Sequence, residues 1–89
     1  MISRKLIVKN PAGLHARPAG ILAKEASACK CDVKMLVGTR EIQLKSILNI
    51  MVAAIKCDTE VELICDGENE AQSMEKLAAI IESDIDAAT

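Results

Sequence analysis

Apolar residues alternate with polar ones in some stretches of the chain and recur at helical spacing in others. Ile2, Leu6 and Val8 share one parity, which predicts a first strand with those side chains inward. Asn10-Pro11-Ala12-Gly13 ends it with turn residues. Ala19, Leu22, Ala23 and Ala26 form one stripe of a helix running from about Ala16 to Ala26. Pro18 falls in its first turn, where a missing N–H costs nothing. Val33, Met35 and Val37 alternate in a second strand, and Ile42 and Leu44 in a third. Gly38-Thr39 between them suits a tight hairpin, with glycine supplying positive φ. Ser46 is placed to cap a short helix containing Ile47, Leu48, Ile50 and Met51. Val61, Leu63 and Cys65 read as a fourth strand, closed by Asp66-Gly67. In the last helix Met74, Leu77, Ala78, Ile81 and Ile85 line one stripe, with Glu70, Glu75 and Glu82 off it. Glu68 and Glu70 near its start suit the helix dipole.

The predicted order is β-α-β-β-α-β-α, an α+β chain. A four-stranded sheet with helices on one face would bury these stripes. Several folds share or approach that order, so it does not fix function. The 89 residues suffice for a single domain, 1–89, with one core. There are no aromatic residues, which disfavours base-stacking readers of single-stranded nucleic acid. The net charge of -2 disfavours a general phosphate-backbone binder. No apolar run approaches the ~20 residues that span a bilayer, and Met1-Ile2-Ser3-Arg4-Lys5-Leu6 has no secretory signature. A cytoplasmic protein without membrane insertion is expected. The four cysteines, Cys29, Cys31, Cys57 and Cys65, read as reduced, partly buried thiols. Cys29-x-Cys31 is not an ordinary zinc pair and no second close pair follows, so neither metal nor cofactor is expected.

The informative stretch is Gly13-Leu14-His15-Ala16-Arg17-Pro18-Ala19. His15, the only histidine, falls at the predicted N-cap of the first helix. Imidazole is a nucleophile at neutral pH and can hold a phosphoryl group covalently. A helix N-terminus offers free N–H donors, here those of Ala16 and Arg17, and a partial positive charge. Arg17 can bring its guanidinium to the phosphate oxygens. Nδ1, the ring nitrogen nearer the backbone, is better placed for those donors than Nε2. Pro18 restrains the loop. Chemistry alone leaves open a plain surface histidine at a helix cap. The chain has no phosphate-cradling glycine loop of the G-x-x-x-x-G-K-[ST] type and no acid cluster for magnesium. Any phosphoryl group on His15 must come from another protein.

Leu14-His15-Ala16-Arg17-Pro18-Ala19, followed about thirty residues later by Leu44-Lys45-Ser46-Ile47-Leu48, closely resembles the HPr family. These are histidine-containing phosphocarriers of the bacterial phosphoenolpyruvate-dependent sugar phosphotransferase system. The resemblance covers essentially the whole chain and implies an open-faced β-sandwich with an antiparallel sheet. It implies that His15 is phosphorylated by enzyme I, that Arg17 supports transfer, and that enzyme IIA components receive the group. It implies a carrier rather than an enzyme, acting as a monomer. The segment Val52–Asp58 departs from the family pattern, which carries glycines near Ala54 and Cys57.

Ser46 has a plain use as an N-cap. A phosphate there would add about two negative charges beside Ile47, Leu48 and Met51, blocking docking without unfolding the helix. Leu44-Lys45-Ser46-Ile47 looks like the Gram-positive form, in which an HPr kinase modifies this serine and a catabolite-control transcription regulator then binds. Ile47, Leu48 and Met51 are docking candidates, with core packing as the alternative for Leu48 and Met51. Gly20 joins them because a bare backbone allows close approach. Lys24 and Lys45 are candidates for framing this face with positive charge. Two rival readings are an HPr-like regulator with no sugar transport role, and a small metal-binding module using Cys29, Cys31 and His15.

Overall fold

The computed structural model describes residues 1–10, 13–14 and 16–82. Its elements are β1 (Ile2–Ile7), α1 (Ala16–Ala28), β2 (Cys31–Val37), β3 (Arg40–Gln43), α2 (Ile47–Ala53), β4 (Glu60–Gly67) and α3 (Glu70–Ile81). The strands form one antiparallel sheet in the order β1-β4-β2-β3. The expected α+β architecture, with its open-faced sheet, is the one observed.

Alternation along the strands decides which face of the sheet is covered. Cys31, Val33 and Met35 of β2, Ile42 of β3, and Val61, Leu63 and Cys65 of β4 are all buried. They meet Ala19, Leu22, Ala23 and Ala26 of α1 and Met74, Leu77, Ala78 and Ile81 of α3 in one core. These are the stripes read from the periodicity. The register sets Val33 opposite Cys65 and Met35 opposite Leu63. Replacing a side chain such as Leu77 by alanine costs about 2–5 kcal/mol in such a core.

Several boundaries differ from expectation. α1 runs two residues past Ala26, to Ala28. Val8 and Leu44 lie just beyond their strands yet are fully buried; Val8 N–H donates to the Thr59 carbonyl at 3.0 Å. Ile2 and Val37 are only partly buried, because they sit at strand ends where the helical layer gives out. Arg4, on the inward parity of β1, is exposed and reaches the Glu75 carboxylate of α3. Asp66-Gly67 does end β4, but as paired strand residues: Asp66 pairs with Asp32 and Gly67 with Cys31. A Cβ on Gly67 would lie 3.1 Å from the Cys31 Cα, so this glycine serves close strand approach rather than a turn. Glu68 consequently lies in the turn before α3, while Glu70 opens the helix. Glu70 accepts the Gly67 N–H at 3.2 Å and pairs with the Met1 ammonium at 3.0 Å. The position of Ile85 lies outside the described residues.

Gly38 has φ +63, as the β2–β3 hairpin requires. Among the described residues no helix is long and apolar enough to cross a membrane.

Candidate functional site

α1 begins at Ala16, one residue after His15. His15 itself, with Pro11 and Ala12, lies outside the described residues, so its N-cap placement and the choice of Nδ1 are not located. The chain on either side of it is anchored. Gly13 N–H donates to the Asn10 carbonyl at 2.8 Å, and Leu14 N–H to the Ile55 carbonyl at 2.9 Å. Gly13 has φ +75, and a Cβ there would overlap the Ile55 carbonyl oxygen and lie 2.9 Å from the Lys56 Cα. Only glycine satisfies both the dihedral and the approach. The Leu14, Pro18 and Ala19 side chains are buried.

Arg17 is exposed, and no described residue gives it a hydrogen bond or ion pair. The first turn of α1 contains no acidic residue. Helix N-termini leave their first N–H groups unpaired and carry partial positive charge. A guanidinium in that turn, with no carboxylate competing for it among the described residues, suits an anion. Gly20, on the next turn, is partly exposed, and a Cβ there would meet no atom within 4 Å.

Ser46 caps α2 as expected. Its backbone is extended (φ -112, ψ 113) and its hydroxyl oxygen accepts the Asn49 N–H at 3.2 Å. Ile50 and Ala53 turn inward. Ile47, Leu48 and Met51 are 47%, 70% and 44% exposed, so neither Leu48 nor Met51 belongs to the core. Val52, 72% exposed, extends the same surface and is not among the residues expected there. Its spacing four residues after Leu48 is the signal that would have found it. Lys45 donates to the Cys29 carbonyl, just past α1, at 3.5 Å; Lys24 is exposed.

The far end of α2 holds a further contact, one that spacing along the chain does not predict. Ala54 caps the helix in the left-handed conformation (φ 53, ψ 49), with its N–H on the Met51 carbonyl at 3.1 Å. The Arg40 guanidinium donates to the Ala53 carbonyl at 2.9 Å. Ala54 thus takes a conformation that glycine adopts freely, at one of the places where the family pattern carries glycine. Asp58, beside Cys57, is also left-handed, at φ 67.

All four cysteines are free: Cys31 and Cys65 are buried, Cys29 and Cys57 partly so. Burial pushes the Cys65 thiol up from 9.0 to about 12, with Cys31 and Cys29 nearby adding to the shift. Among the described residues no group of His, Cys, Asp and Glu is placed to hold a metal ion.

The model of the PTS-HPr family, described as the PTS HPr component phosphorylation site, matches residues 2–83. The chain belongs to the HPr family. HPr proteins are the phosphocarriers of the phosphotransferase system, and this chain is of that type. It is 40% identical over 71 residues to the phosphocarrier protein HPr of Mycoplasma capricolum, covering 80% of each chain. It is 36% identical over 85 residues to the HPr-like protein Crh of Bacillus subtilis, covering 96% of this chain and 100% of Crh. Crh has also been solved as a domain-swapped dimer (TM-score 0.74, 38% identity, 92% and 94% covered). The crystal structure of HPr-C-His from Thermoanaerobacter tengcongensis superimposes with a TM-score of 0.90 at 29% identity, covering 97% of both chains.

Proposed function

We propose that the chain, acting over residues 1–89 as one monomeric cytoplasmic domain, accepts a phosphoryl group on His15 from enzyme I and donates it to enzyme IIA components. The match of the PTS-HPr phosphorylation-site model across residues 2–83 carries this reading. In the step, the Nδ1 lone pair of His15 attacks phosphorus and a P–N bond forms. The bond from phosphorus to the donor breaks, and its electron pair leaves with the donor. The exposed Arg17 and the N–H groups of Ala16 and Arg17 hold the phosphoryl oxygens while the charge moves. Gly20, Ile47, Leu48 and Met51, joined by Val52, form the docking face, and their exposure supports that role.

Ser46 is the regulatory position in this reading, modified by HPr kinase/phosphorylase and read by a catabolite-control transcription regulator. Its phosphate would stand among exposed Ile47, Leu48 and Met51 and repel an acidic or apolar partner there. No cofactor or metal enters the scheme.

The test is incubation with enzyme I and phosphoenolpyruvate. One acid-labile phosphoryl group is expected on the wild type and none on His15→Ala; labelling that survives the substitution ends the assignment. Light scattering should give a mass near 9.5 kDa, and twice that value would replace the monomer with a dimer. The similarity to Crh over nearly the whole chain favours a second reading, a regulator without a sugar transport role. Discharge of the labelled protein by enzyme IIA components decides between them.

A further inference from the structure

The corner where α2 ends touches two parts of the chain that are remote in sequence. On one side the Arg40 guanidinium, reaching from β3, donates to the Ala53 carbonyl at 2.9 Å. On the other the Ile55 carbonyl accepts the Leu14 N–H at 2.9 Å, and the Gly13 backbone packs directly against Ile55 and Lys56. Ala54 stands between them in the left-handed conformation, which its Cβ disfavours. A seven-residue helix has few internal bonds with which to hold such an end. Its last carbonyls need outside donors, and a cation is the favoured one at a helix C-terminus. Arg40 supplies both, and Ile55, whose carbonyl holds the Leu14 N–H, is buried.

We propose that Arg40 is a positioning residue for the loop that carries His15, acting through the Ala53–Ile55 corner on Leu14. The inference rests on the reading of His15 as the phosphoryl acceptor. In it, the helix that presents Leu48 and Met51 to a partner and the Gly13-Leu14 backbone just before the acceptor are braced by one side chain.

The decisive measurement is amide hydrogen exchange on the full, unphosphorylated chain, comparing wild type, Arg40→Met and Arg40→Lys. Methionine keeps the apolar stem but donates nothing; lysine keeps a cationic donor. In Arg40→Met the Leu14 amide should exchange about tenfold faster, while those of Met35 and Leu63 in the sheet hold their rates. Arg40→Lys should stay within about threefold of wild type, since a cationic donor remains. With enzyme I and phosphoenolpyruvate, Arg40→Met should lose about threefold or more in kcat with little change in KM. An unchanged Leu14 amide overturns the proposal. So does parallel acceleration at Met35 and Leu63, which makes Arg40 a general stabiliser. A fall confined to KM makes it a docking charge and also overturns the proposal. A wild type that takes no phosphoryl group defeats the His15 reading instead, while the Leu14 amide still reports on the brace.

Discussion

Arg17 stands exposed in the first turn of α1 with no partner among the described residues to give up when an anion arrives. A hydrogen bond to a charged group contributes about 1.5–3 kcal/mol, so Arg17→Ala should slow phosphoryl transfer about 10- to 100-fold. Its melting temperature should match wild type; equal loss of both would make Arg17 structural. Ser46→Asp keeps an oxygen acceptor at the N-cap and adds a charge that the helix end tolerates. Rapid-mixing kinetics should therefore show a slower enzyme I reaction at nearly unchanged stability, and unaltered rates would remove the regulatory role. Cys65 supplies a pH dependence. Its thiol ionises near 9.0 when unfolded but only at about 12 when folded. Below pH 9 both states hold the proton. Between 9 and 12 only the unfolded state releases it, so stability falls across that window. The Met1 ammonium adds to this decline: its pairing with Glu70 raises its pKa above 8.0, and that stabilisation fades as pH climbs through the raised value. Denaturant titrations should show a shallower alkaline decline in Cys65→Ala than in wild type. Identical slopes would place the burial penalty elsewhere.

Among the elements, α2 is the one whose ends the chain treats differently. Its N-terminus is closed by the residue that periodicity and capping chemistry pointed to, Ser46. Its C-terminus is closed by an alanine in a glycine conformation and an arginine from another strand. Left-handed backbone costs an L-residue about 1–2 kcal/mol, so Ala54→Gly should raise the unfolding free energy by about 1 kcal/mol. A drop would mean that the Ala54 methyl packs usefully. Helices α1 and α3 were legible because their stripes repeat over two turns or more, whereas strand ends were not. Asp66-Gly67 looks like a turn, and only the pairing of Gly67 with Cys31 shows that these two residues still belong to the strand, as its end.

Across the whole molecule, the division of labour between chain and fold is clear. Residue type and spacing are local properties, and they determined the order of elements, the buried stripes, the hairpin at Gly38, the cap at Ser46 and the family motifs around His15 and Ser46. The antiparallel order β1-β4-β2-β3 puts the first strand beside the last. That adjacency brings Val8 to Thr59 and Lys9 to Ile81, and Leu14 likewise meets Ile55, partners that spacing along the chain cannot reveal. Which apolar residues of α2 remain outside was likewise undecided until the helix was set on the sheet, because Ile47, Leu48, Ile50, Met51 and Val52 are chemically alike. Burial is a property of neighbours in space, and the tertiary structure chose Ile50 for the core while leaving the other four in solvent.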